Sequence, residues 1–174
     1  MRNNESEIPN RFNPIHVIGK NIIDTTLNPT NILCPVCKKA GMPVKNVTVR
    51  HIVKKEQMER VGKGDYHLCM DPECDVAYYD ENGTIFDKDN IRVPLWFKKD
   101  VNPKYACYCS RITENDVIKA VMEQGMQDIG TIREFYDKGA KCQCKVRNPT
   151  GNCCSKVFNA AIRKGLELKS KNIY

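Results

Sequence analysis

The sequence predicts an α+β protein, a small β-rich unit followed by a small helical one, and three observations predict it. Ten cysteines fall in 174 residues as Cys34-x2-Cys37, Cys69-x4-Cys74, Cys107-x-Cys109, Cys142-x-Cys144 and Cys153-Cys154, so every one belongs to a close pair. The apolar pattern is strand-like from Leu33 to about Phe97 and takes a helical period later in the chain. Between the two, Lys98 to Lys104 (KKDVNPK) is polar and carries Pro103, which reads as a linker.

The elements follow in order. Residues 1–30 hold four asparagines before Pro14 and no clear period, so they read as a mobile N-terminal arm, with an apolar patch from Ile15 to Ile23 able to dock on the body. Residues 31–100 form the β-rich unit. Val47 and Val49 alternate with Thr48 and Arg50 as in a strand, and Lys54 to Val61 suits a helical turn stopped by Gly62. Ala77-Tyr78-Tyr79 and Thr84-Ile85-Phe86 flank the turn Glu81-Asn82-Gly83 as two further strands.

Residues 105–170 form the helical unit. Thr113 is placed to cap a helix with Asp116 three residues on, and Val117, Ile118, Val121 and Met122 make one apolar stripe before Gly125. A second helix fits Thr131 to Lys138, with Ile132, Phe135 and Tyr136 inward and Gly139 as its stop. A third begins near Cys154 and puts Val157, Phe158, Ala161, Ile162 and Leu166 on one face.

The formal charge of +7 sits almost wholly in the last third: Val101 to Tyr174 has 13 basic and 7 acidic residues. Four thiolates on Zn2+ sum to −2, as do four on an oxidised 2Fe-2S core, so filling two such sites brings the net charge to about +3. No basic recognition helix or aromatic-rich RNA motif is present, and no nucleic-acid partner is expected. The N-terminus lacks the apolar stretch of a signal peptide and no run is long enough to span a membrane. A cytoplasmic chain with reduced thiols is therefore expected, with no membrane insertion, and a disulfide scaffold is disfavoured because adjacent and one-apart cysteines bridge each other poorly.

Cys34-Pro35-Val36-Cys37 has the spacing of a zinc knuckle, and Cys69 and Cys74 supply a second, looser pair. Four thiolates complete tetrahedral Zn2+ and leave no position for substrate, which makes the site structural. His51 and His67 are competing ligands by type, though four nearby cysteines make them unnecessary. The other six cysteines offer more sulfur than one tetrahedral ion uses. Cys107 and Cys109 precede the first helix, while Cys144 and Cys154 are joined by the turn Asn148-Pro149-Thr150-Gly151. A 2Fe-2S cluster fits this layout, with a second zinc as the alternative.

The order CPVC, GDYHLCMDPEC, AYYDENGTIF, CYCSRIT and NPTGNCC resembles the N-terminal domain of the CopZ-type copper chaperones, over about Cys34 to Leu166. The second half alone is similar to the bacterioferritin-associated ferredoxin (BFD-like) domain. The resemblance implies a zinc-binding domain joined to a helical 2Fe-2S domain. Carried over by motif, zinc falls to Cys34, Cys37, Cys69 and Cys74, and the cluster to Cys107, Cys109, Cys144 and Cys154. Cys154 is preferred to Cys153 because it directly precedes the helix. Cys142 and Cys153 are left without a role; either suits a free thiol, an alternative cluster ligand or part of a copper-binding pair.

Chaperones of that family carry a further copper-binding domain with an M-x-C-x-x-C loop, and no such motif follows before Tyr174. The resemblance thus implies a zinc and iron-sulfur protein beside a separate copper chaperone or copper-transporting ATPase. One-electron transfer through the cluster, with Lys138, Lys141, Lys145, Arg147 and Lys156 tuning its potential or attracting an acidic partner, is the leading expectation. A thiolate carrier or sensor of Cu+ and a structural metal-binding adaptor are the alternatives. No phosphate loop, nucleophile elbow or carboxylate-pair motif suggests an enzyme.

Overall fold

A computed structural model describes residues 32–136 and 141–171. The expected arm over 1–30, its apolar patch, Lys138 and Gly139 lie outside the described residues. Four short strands form an antiparallel sheet in the order β1-β2-β3-β4: β1 (Met42–Val44), β2 (Tyr66–Leu68), β3 (Val76–Tyr79) and β4 (Ile85–Asp87). Gly83, at φ 84°, makes the β3–β4 turn at the expected place. Tyr66, Leu68, Tyr78 and Phe86 lie in the core of this unit with Val49, Ile52 and Val53.

Residues 46–52, read as a strand from the alternation around Val47 and Val49, are instead helix α1 (Asn46–Ile52). Thr48, Val49, Ile52 and Val53 are all buried, a spacing that shares one helical face. Lys45 makes no side-chain cap, and the Asp65 carboxylate takes its place by accepting the Asn46 N–H at 2.9 Å. The Asn46 amide reaches the carbonyls of Gly62 and Gly64 at 2.8 and 2.7 Å. A cap supplied from 19 residues downstream overrides the β preference of Val47-Thr48-Val49. The turn over Lys54 to Val61 is a 3-10 helix, Lys55–Arg60.

In the second half a two-stranded hairpin, β5 (Tyr105–Cys107) and β6 (Ile112–Thr113), precedes the helices. Helix α2 (Glu114–Gln124) starts at the expected capping box: Thr113 Oγ1 accepts the Asp116 N–H at 3.1 Å and Asp116 accepts the Thr113 N–H at 2.9 Å. Gly125 stops it in the left-handed conformation, φ 69°. Helix α3 (Ile129–Tyr136) begins earlier than expected because Asp128 caps it through the Thr131 N–H. Phe135, expected inward, is exposed, whereas Ile132 is buried.

A four-residue helix, α4 (Cys144–Arg147), and the long α5 (Ser155–Lys171) complete the fold. Helix α5 buries Phe158, Ala161 and Ile162 as expected. Leu166 is exposed; Gly165 takes the inward position against α2, where an added Cβ would fall 2.8 Å from Val121 Cβ. No helix among the described residues is long and apolar enough to cross a membrane.

The two halves are not joined by a free linker. Lys98, read as its polar start, is buried, and its ammonium donates to three backbone carbonyls of the first half. Tyr108 donates to the Pro94 carbonyl at 2.5 Å and accepts the Trp96 N–H at 3.1 Å. Thr48 of α1 donates to the Lys145 carbonyl at 2.7 Å, and Tyr78 of β3 to that of Pro149 at 2.6 Å. Composition shows the charge of KKDVNPK but not the carbonyls that await it.

Candidate metal centres

All ten cysteines are free thiols. Antiparallel pairing decides which of them meet. Met42 at the start of β1 pairs with Leu68 at the end of β2, so the Cys34–Cys37 turn and the loop opening at Cys69 share one end of the sheet. The Cys69 N–H bonds to the Ala77 carbonyl at 2.8 Å, which folds the Cys69–Cys74 loop back on itself. The Cys34 N–H donates to the Lys39 carbonyl at 2.8 Å, and Lys38 closes that turn at φ 60°.

Cys34, Cys37, Cys69 and Cys74 thereby place their four sulfurs within 4.8 Å of one another. Cys34 and Cys74 are 3.9 Å apart and Cys37 and Cys69 3.6 Å. A tetrahedron with metal–sulfur bonds of about 2.3 Å has edges of about 3.8 Å, so the set fits Zn2+, and its soft thiolates also suit Cu+. All but Cys37 are buried. His67 is stacked on Tyr79 at 5.7 Å and His51 hydrogen-bonds Val47 on α1; neither joins the group.

Burial is the largest influence on these thiols. It raises Cys74, and it raises Cys69 well above the ordinary range. In Cys34 the same penalty is outweighed by the backbone N–H groups of Cys37 and Val36, and the thiol is lowered. Tyr79 is pushed up to about 12, by burial first and then by the neighbouring sulfurs. Such a pocket resists carrying several thiolates unaided, and a divalent cation supplies the missing positive charge.

The second set is arranged differently. Cys107 ends β5, Cys109 lies in the β5–β6 turn, Cys144 opens α4 and Cys154 directly precedes α5. Cys109 and Cys144 are 3.9 Å apart, and Cys154 is the neighbour that acts most strongly on the Cys107 thiol. No three of these sulfurs satisfy the 4.8 Å grouping that the first set meets. The structure thus brings them together as two pairs. Cys107 is drawn down to about 5, chiefly by the Cys154 hydrogen bond, and Cys154 is raised by the same bond and by burial. Cys144 is pushed up to about 11, by burial and then by Cys109. The Gln143 N–H donates to Cys109 Sγ at 3.2 Å.

The turn between Cys144 and Cys154 is fixed from within and from outside. Asn148 Oδ1 accepts the Thr150 N–H at 3.0 Å, and Gly151 turns at φ 70° against Thr48. Cys142 and Cys153 are both exposed. Cys142 accepts a hydrogen bond from Arg133 at 2.9 Å, and Cys153 touches Cys144. Sequence reasoning gave no supporting role to Lys98, Tyr78, Thr48 or Tyr108; Tyr78 and Tyr108 lie inside the motifs AYYDENGTIF and CYCSRIT, but their partners are backbone carbonyls that no motif marks. Among the described residues of the basic set singled out in the sequence, the Arg147 side chain bonds into this centre, to the Cys109 carbonyl at 3.2 Å.

Comparison with known proteins places this geometry. Residues 31–92 match the CopZ zinc binding domain. Over 121 residues, 70% of this chain, the sequence is 33% identical to the copper chaperone CopZ of Archaeoglobus fulgidus, and it spans 57% of that protein's length. Among solved structures it is similar to the X-ray structure of the A. fulgidus CopZ N-terminal domain, at 31% identity and a TM-score of 0.61, covering 74% of this chain and 96% of that one. Residues 31–92 therefore belong to the CopZ zinc-binding domain family, in a chain homologous to Archaeoglobus CopZ.

Proposed function

We propose that the chain is a zinc-containing 2Fe-2S protein that transfers single electrons in copper or metal-ion handling. The observation that carries the reading is the contrast between the two thiol sets: four converging sulfurs in one, two close pairs in the other. One tetrahedral ion needs the first arrangement. A 2Fe-2S centre held by four thiolates would suit the second.

Cys34, Cys37, Cys69 and Cys74 would hold zinc within a unit over about 31–100, closing the Cys69–Cys74 loop. Cys107, Cys109, Cys144 and Cys154 would hold the cluster within a BFD-like unit over about 105–170. Bound there, a 2Fe-2S centre supplies one-electron chemistry, such as the reduction of Cu2+ to Cu+. The chain's own residues exclude water from Cys107 and Cys109, both buried, and aim the Gln143 N–H at sulfur. Homology to a copper chaperone supports a metal-handling partner, such as a copper chaperone or a copper-transporting ATPase.

Zinc, iron and acid-labile sulfide counted in anaerobically purified protein test the reading. One zinc with two irons and two sulfides is expected, with sulfide-to-iron charge-transfer bands and an EPR signal after reduction. Two zincs and no iron would reject the cluster. The exposed thiols of Cys142 and Cys153 favour one second reading, a Cu+ carrier. Titrated Cu+ would then bind at a defined stoichiometry with zinc and iron in place.

A further inference from the structure

A cleft between the two halves is lined by three arginines and no carboxylate. Arg92 precedes the last segment of the first half, Arg111 lies in the β5–β6 turn, and Arg147 ends α4. With His51, Tyr108 and Gln143 they border a cavity of 610 Å3. Several other surface cations do meet acids: Lys39 pairs with Asp71, Lys45 with Asp65, Lys88 with Asp75 and Lys164 with Glu114. None of the three guanidiniums has an ion pair among the described residues.

The cleft adjoins the second thiol set through two of its lining residues. Arg147 donates to the Cys109 carbonyl and the Gln143 N–H donates to Cys109 Sγ, each at 3.2 Å. Arg111 holds φ at 54°, the left-handed conformation that glycine or asparagine adopts at less cost. Closing the turn therefore does not by itself account for an arginine there. All three arginines are exposed. A small anion on them would stay in competition with water, whereas a protein surface laid across the cleft excludes it. Guanidinium forks match carboxylates bidentately, and their unopposed charge steers an acidic partner toward the cleft.

We infer that this cleft receives an acidic protein surface, its Asp or Glu carboxylates paired with Arg92, Arg111 and Arg147, beside Cys109. That electrons cross there rests on the one-electron reading above; the binding does not.

The test titrates fluorescein-labelled hexaglutamate into the full, metal-loaded chain at low salt and follows anisotropy. The expected result is an affinity loss of about tenfold or more in Arg92→Gln/Arg111→Gln/Arg147→Gln. A variant losing equal charge outside the cleft, Lys55→Gln/Lys63→Gln/Lys171→Gln, should lose less than about twofold. Equal losses in both, unchanged binding in the arginine variant, or no binding at all would overturn the proposal. So would tighter binding of a single-stranded oligoribonucleotide through the same arginines. The absorption spectrum of each sample reports the cluster separately: arginine-dependent binding by a chain without iron retains the docking site and rejects electron transfer.

Discussion

The ammonium of Lys98 lies 2.7 Å from the carbonyl oxygen of Cys74, with those of Asp71 and Val76 at 2.8 and 2.9 Å. All three of its donors are thus committed to the loop that carries half of the first thiol set and to the first residue of β3, which follows it. Its charge also opposes the rise of the Cys69 thiol. Methionine at position 98 would keep the stem and strand three carbonyls. Lys98→Met should destabilise the chain by about 3 kcal/mol and speed zinc loss to a chelator about tenfold or more. Chromophoric chelator kinetics beside thermal unfolding would check both, and unchanged zinc release would refute the coupling.

Tyr78 is fully buried, and its hydroxyl serves the carbonyl of Pro149. Removing that hydroxyl leaves the carbonyl unpaired in a dry contact. Tyr78→Phe should cost about 1–3 kcal/mol and loosen the turn between Cys144 and Cys154. Iron retention should fall while zinc content holds, which metal analysis after gel filtration would read.

Gly165 sits within α5, where helix propensity alone favours alanine by about 1 kcal/mol. The contact with Val121 argues the other way. Overpacking of this kind costs about 1–3 kcal/mol, so Gly165→Ala should lower the melting temperature rather than raise it. Calorimetry on the two proteins decides the sign.

The exposed cysteines should behave unlike the paired ones. Cys142→Ser is expected to retain zinc and iron at wild-type stoichiometry, since Cys142 is in neither thiol set. Cys153→Ser should do the same although its thiol touches Cys144, because Cys154 rather than Cys153 meets Cys107. Cys144→Ser and Cys107→Ser should each lose most of the iron and keep zinc. Loss of iron from Cys153→Ser would move the ligand assignment from Cys154 to its neighbour.

How far the sequence spoke for itself depends on the range of the interaction. Helix α2 was legible because cap, stripe and stop all lie within Thr113 to Gly125. The four converging thiols were legible because two short spacings sit at strand ends that antiparallel pairing joins. Helix α1 was not, since its cap comes from Asp65 and its buried Thr48 faces residues about a hundred positions away. Partners 22 to 27 residues back likewise hid Lys98 behind a linker-like composition. Leu166 misled because Gly165, beside it, answers to Val121 on another helix.

Thr48 and Tyr78 reach across 97 and 71 residues to hold the turn that Cys144 and Cys154 flank. A sheet that loosens would slacken the turn through those two bonds, and a metal held at Cys144 and Cys154 would return stabilisation to the sheet through the same bonds. The coupling is therefore reciprocal: zinc affinity measured with the second centre filled and empty should shift by the same factor as the second centre's affinity measured with and without zinc.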